Sequence, residues 1–214
     1  TLFPAICNEG NLFIGISDLV PGNNLNLLFQ LAEATADSES DPEEVHWHYL
    51  ENNQWKELRK GFELLADATD GLTTSGIVKL ATPAGMSKEN TILPKGLHWI
   101  RASVPKNSPA VSETIGIHAQ AMRATFTNDA ANDALRLATP LPALSVSRLS
   151  EADANLKKVE QPYDSLDGSI PEEEGHYYIR LSESLRHKGR AIQKFDYERL
   201  ALEHFPKLFK AKYV

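Results

Sequence analysis

The sequence predicts a mainly β protein: an antiparallel β-sandwich-like domain followed by a small α/β piece built as helix, turn, helix and strand. Three observations carry that expectation. Short runs of alternating apolar and polar residues recur through the first 127 residues, the period-2 signature of half-buried strands. Clusters of Pro, Gly, Asn and Asp separate these runs, as turns do between the short strands of a sandwich. Beyond residue 156 the apolar spacing lengthens to that of a helix. The expected organisation is a sandwich-like domain over 1–127, an extended connector over 128–155 and a partial α/β assembly module over 156–214.

Strands are expected at 11–16, 25–34, 45–50, 55–60, 77–82, 98–104 and 115–127. Within 45–50 the alternation sends Val45, Trp47 and Tyr49 to one face and His46, His48 and Leu50 to the other. Glu51-Asn52-Asn53-Gln54 is a hairpin loop leading to Trp55. The composition of 25–34 suits a helix, yet Leu25, Leu27 and Phe29 alternate with Asn24, Asn26 and Gln30, so it is read as a strand. Pro21-Gly22-Asn23-Asn24, Asp70-Gly71, Ser75-Gly76, Pro83-Ala84-Gly85 and Pro94-Lys95-Gly96 supply the turns between strands.

In the connector, Thr139-Pro140-Leu141-Pro142 is held extended, because proline restricts both itself and its predecessor. Ser169-Ile170-Pro171-Glu172 resembles a capping box with proline in the first turn of a helix. Tyr178, Leu181 and Leu185 then share one helical face, and Gly189 stops the helix after Arg186-His187-Lys188. A second helix is expected over about 194–204, with Tyr197, Leu200, Ala201 and His204 along one stripe and Phe205-Pro206 ending it. Residues 208–214 alternate Phe209, Ala211 and Tyr213 against Lys210 and Lys212, which reads as a strand with an uncovered edge.

Composition narrows the function. The chain has 214 residues, 22 Lys and Arg against 29 Asp and Glu, a net charge of −7. A nucleic-acid binder needs a basic face to replace phosphate counterions, so none is expected. Residues 1–150 hold 11 basic against 17 acidic side chains, and residues 151–214 hold 11 against 12; the acid is concentrated in the first part. No apolar run approaches the roughly 20 residues of a membrane helix, so membrane insertion is not expected. The single Cys7 allows no intrachain disulfide and no multi-cysteine zinc site. The start without Met and the stop on a strand-like run suggest an internal fragment of a longer protein.

Candidate chemistry is sparse. His46 and His48 put two imidazoles on one strand face, half of a metal site; a catalytic zinc needs about three protein ligands, and nothing makes His98 or His118 converge on the pair. Solvent-facing or interface histidines are the alternative. Glu172-Glu173-Glu174 is explained by a helix N-terminus, where carboxylates complement the dipole. The basic stretch 185–194 reads as a helix C-terminus, a phosphate-binding turn or a docking patch for an acidic surface. No phosphate-binding loop, dinucleotide fingerprint, nucleophile elbow or zinc-protease helix is present, and no cofactor or catalytic residue is assigned. Trp47, Tyr49, Trp55 and Trp99 are either a sugar-stacking platform or core and interface anchors. Whether Trp47, Trp55 and Trp99 share one exposed surface separates a carbohydrate-binding sandwich from an assembly protein. A hydrolase accessory domain is a third alternative and would require carboxylates clustered in a cleft.

The order of several short pieces is similar to baseplate J-like proteins. Those pieces are Asn11-Leu12-Phe13-Ile14-Gly15-Ile16, Leu19-Val20-Pro21-Gly22 and Leu25-Asn26-Leu27-Leu28-Phe29-Gln30, then Trp47-His48-Tyr49-Leu50 with Trp55. They continue with Gly71-Leu72-Thr73, Ser75-Gly76-Ile77-Val78, Asn90-Thr91-Ile92-Leu93-Pro94 and Gly96-Leu97-His98-Trp99-Ile100-Arg101-Ala102. The last are Gln161-Pro162-Tyr163, the run from Arg180 to Lys188 and the run from Asp196 to Pro206. The resemblance implies a structural wedge subunit of a contractile phage tail or phage-like injection system, acting through protein–protein assembly and without catalytic residues. It implies partners in other wedge subunits, in copies of itself and in hub and spike proteins at the ring centre. It also implies assembly in the bacterial cytoplasm and residence in the baseplate of a virion tail or tail-like particle. Lys210-Ala211-Lys212-Tyr213 departs from the family pattern, where a cysteine is expected near the strand end. The residues expected at an interface are Arg186, His187, Lys188, Arg190, Tyr197, Leu200 and Phe209.

Overall fold

The computed structural model describes residues 6–127, 132–151, 153–154, 156–166, 168, 170–205, 208 and 210–213. The chain divides into two compact units, Thr1–Thr125 and Phe126–Val214.

Alternation and turn chemistry shape the first unit. Its strands are β1 Gly10–Ile16, β2 Asn24–Ala32, β3 His46–Glu51, β4 Gln54–Glu57, β5 Leu64–Asp67, β6 Gly76–Ala81, β7 His98–Val104 and β8 Glu113–Ala119. They form two four-stranded antiparallel sheets, ordered β1-β7-β3-β4 and β5-β6-β2-β8. The fold is therefore mostly β, as the sequence predicts. The β3–β4 hairpin closes through Asn52 and Asn53, at φ 49° and 60°; Asn is among the few residues that take this left-handed conformation at low cost.

The core lies between the sheets. One sheet supplies Leu25, Leu27, Phe29, Leu31, Val78 and Leu80, and the other Trp47, Ile100, Ala102 and Val104, joined by Val45 just before β3. The period-2 rule holds on β2, where Leu25, Leu27, Phe29 and Leu31 are buried and their neighbours are not. It fails on β7, which is buried on both faces along its whole length. Its inward residues, Ile100, Ala102 and Val104, join the core. Of its outward residues, Trp99 and Ser103 are covered by neighbouring segments, Trp99 donating Nε1–H to the Pro94 carbonyl and Asn8 donating to the Ser103 hydroxyl, while the Arg101 guanidinium lies against the Trp55 ring of β4.

Several expected bounds are corrected. The second strand stops at Ala32, where Thr35 N–H returns to the Ala32 carbonyl and Ala34 turns left-handed at φ 66°. The fourth ends at Glu57, before the Arg59–Glu63 turn, in which Arg59 and Glu63 form a bidentate ion pair. The eighth ends at Ala119, because Gln120 at φ 57° breaks the extended run. The short β5 was not expected; only Leu64 within it is buried.

In the second unit, a 3-10 turn forms at Ala134–Ala138, its start capped by Asp133 accepting from the Leu135 N–H. Gln161 organises the segment between this turn and the helices. Its amide donates to the Leu141 and Tyr163 carbonyls and accepts from the Val146 N–H, while Leu144 N–H bonds the Gln161 carbonyl. Two helices complete the unit, α1 Glu174–His187 and α2 Lys194–His204. Among the described residues 208 and 210–213 no strand forms. Tyr213 instead turns back on α2, its N–H on a Glu198 carboxylate oxygen at 3.0 Å and its ring 5.3 Å from that of Tyr197. A strand needs a partner ladder, and none of the described residues of this unit offers one.

Candidate assembly interface

The helical pair is held by polar contacts. Phe195 is held between two guanidinium groups, Arg186 at 4.1 Å and Arg199 at 4.7 Å from the ring centroid. Asp196 caps α2 by accepting from the Ile192 and Gln193 N–H groups, and Gln193 returns the bond, a reciprocal capping box. Arg186 reaches Asp196 at 3.5 Å and Glu183 at 3.7 Å, and Arg199 reaches Glu183 at 3.5 Å. The backbone donors at the cap, first that of Gln193, hold the Asp196 carboxyl below the usual range. This capping pair was missed because Gln is a weak N-cap signal; the cue was an acidic residue three positions after the turn.

The helix start differs from the expected one. Ser169 lies outside the described residues, and α1 begins at Glu174, three residues past Pro171, with Glu173 as its N-cap. Glu172 forms a two-pronged ion pair with Arg180, which lowers the Glu172 pKa and raises that of Arg180. The carboxylate run is thus engaged by a helix terminus and a guanidinium.

The expected interface residues fall in different settings. His187 is buried, its Nδ1 accepting from the Gly189 N–H and its Nε2 facing Glu203 at 3.7 Å. Arg186 is committed to Phe195 and its acids. Lys188, at φ 49°, and Arg190 are exposed in the turn. Tyr197 is half exposed against Tyr213, Leu200 is partly buried, and Phe209 lies outside the described residues.

What the inter-helix seam does not use faces outward. Tyr178, Leu181 and Leu185, predicted to share one face of α1, are 59%, 39% and 66% exposed. Ile179 and Tyr177 on the same helix are also exposed, and so is Ile192 in the turn. Helices normally bury such a stripe, and an apolar stripe left in water marks an interaction surface.

The remaining candidates disperse. Trp47 and Trp99 are buried, at 1% and 8% exposure. Trp55 is partly buried and packs on Phe13. The three tryptophans do not line one exposed surface, which removes the sugar-stacking platform. His46 contacts Glu57 at 3.3 Å, and among the described residues no three His, Cys, Asp or Glu side chains group at metal-binding distances. No described helix is long and apolar enough to cross a membrane.

Residues 3–214 match the family described as Baseplate protein PVC11-like. No curated protein matches the chain.

Proposed function

Because the chain belongs to the PVC11-like baseplate protein family, we propose that it serves as a wedge subunit, using the helical unit to join neighbouring wedge proteins around the central hub. The coarser role is a property of the family: a structural part of a phage-tail-like particle, assembled with other baseplate components. The observation that carries the finer reading is the outward apolar face of α1, formed by Tyr178, Leu181 and Leu185. Covering it removes apolar surface from water at about 25 cal/mol per Å². Lys188 and Arg190, exposed beside it, act as rim charges that orient an acidic neighbour and speed encounter. Cytoplasmic assembly before incorporation into the particle belongs to the same proposal.

The test is co-expression of the intact protein with its native baseplate neighbours. A Leu181→Asp, Leu185→Asp variant that keeps wild-type circular dichroism is expected to drop out of the assembled baseplate, and so is a chain lacking residues 190–214. Normal yield of baseplates containing either variant would overturn the helical unit's role.

A further inference from the structure

A row of side chains crosses the outer face of the first sheet. Phe13 on β1, Arg101 on β7, His48 on β3 and Glu57 on β4 stand in register. Arg101, at the centre, is 8% exposed. Its guanidinium carbon lies 5.0 Å from the centre of the Trp55 ring, which in turn lies 5.6 Å from that of Phe13. Its Nε is buried with no hydrogen-bond partner, and the same is true of the neighbouring His48 Nδ1.

No carboxylate among the described residues pairs with Arg101. Glu57, the acid of the row, contacts His46, and Glu9, the acid before β1, is bonded to the Ser108 hydroxyl and N–H. Arginine does not shed its proton in proteins. Burial works against the Arg101 charge, and Cys7 is the group that works for it. A buried charge is normally paired, and removing a guanidinium from water without a counterion is strongly unfavourable. Among the described residues, this cation therefore has no carboxylate to compensate it.

We propose that Arg101, backed by the Trp55 ring and flanked by His48, receives an Asp or Glu carboxylate presented by a neighbouring baseplate protein. A planar guanidinium forks onto a carboxylate with two parallel bonds. A single cation matches a single negative charge, whereas phosphate sites gather several donors or cations. This receptor rests on the assembly reading, but its residues belong to the first unit and none of them to α1.

Two measurements test it. In the isotopically labelled intact chain, the Arg101 Nε–Hε resonance, identified by its loss in Arg101→Lys, is followed against acetate and against chloride at equal ionic strength. A saturating shift with acetate alone is expected; equal responses overturn the receptor. In co-expression with native baseplate neighbours, Arg101→Met is expected to melt no lower than wild type, because an unpaired buried charge is gone. It is also expected to lose affinity for the assembly by on the order of tenfold or more. A variant that melts lower and assembles normally makes Arg101 a purely structural residue and overturns the proposal. Wild type and Arg101→Met assembling equally well overturn the receptor alone. Wild type that binds acetate yet joins no baseplate neighbour overturns the partner and the assembly reading together.

Discussion

Phe29 and Trp47 meet edge to face between the two sheets, ring centroids 5.7 Å apart and planes at 70°. Phe29 is fully buried and Trp47 nearly so. The contact is where β2 and β3, strands of different sheets, close on the same core, and aromatic pairs in this geometry add to the burial of their area.

Truncating that contact should be costly. Phe29→Ala is expected to destabilise the first unit by about 3–5 kcal/mol, the usual range for a buried aromatic. Phe29→Leu should cost less. Denaturant unfolding followed by tryptophan fluorescence measures both; a loss for Phe29→Ala below about 0.5 kcal/mol, the scale of a surface change, would contradict this packing.

Gly76 opens β6 where the chain passes very close to itself. A Cβ built there would sit 2.1 Å from the Ala68 carbonyl oxygen and 2.5 Å from its carbon. Backbone atoms cannot swing aside as a side-chain tip can, so Gly76→Ala is expected to lower soluble yield and the melting temperature. Gly175→Ala, in α1, meets no atom within 4 Å and should leave both unchanged or raise helicity. Equal melting of the two variants would show that β6 shifts freely.

Acid should weaken the first unit before it weakens most carboxylate contacts. Burial depresses the pKa of His48, with Arg101 as the next cause and Glu57 opposing, and burial likewise depresses that of His98. The unfolded chain therefore binds protons at these sites more readily than the folded one. Stability held above the ordinary histidine pKa of 6.5 should fall as pH drops through it towards the lower folded values. Unfolding midpoints at pH 7.5 and 5.5 check the direction, and His48→Gln should flatten the slope. A midpoint that rises on acidification would contradict the buried neutral imidazole.

Gln161 should matter to the second unit out of proportion to its size. Its amide bonds two carbonyls and one N–H drawn from residues 141, 146 and 163. Gln161→Ala strips all three at once, and each bond is worth roughly 0.5–1.5 kcal/mol net. Faster hydrogen exchange at Val146, with β2 amides unchanged, is the expected result. Unchanged exchange at Val146 would mean that backbone bonds alone hold the segment.

Local chemistry was legible in the sequence. Alternation located β7 at 98–104 and helical spacing located the second helix at 194–204, both with the observed bounds, and Asn52-Asn53 announced the hairpin turn. The resemblance of short ordered pieces to baseplate J-like proteins pointed to a baseplate protein, and the family match is to a baseplate protein family. These features depend on neighbours within a few positions, so a few residues suffice to encode them.

Pairing and burial were decided by the tertiary structure. The strand order β1-β7-β3-β4 puts β7 between two partners, and Trp55 of β4 lies against Arg101, so Arg101 is buried at a position that alternation assigns to the wet face. The apolar stripe of α1 looks, in sequence, like a buried seam. In the fold the seam is made instead by Glu183, Arg186, His187, Arg199 and Glu203, and the stripe faces out. The alternation in 208–214 gave a strand pattern without a ladder to join, and Tyr213 turned back onto Tyr197. Which face of an element meets water depends on residues tens of positions away, and a one-dimensional pattern does not carry that distance.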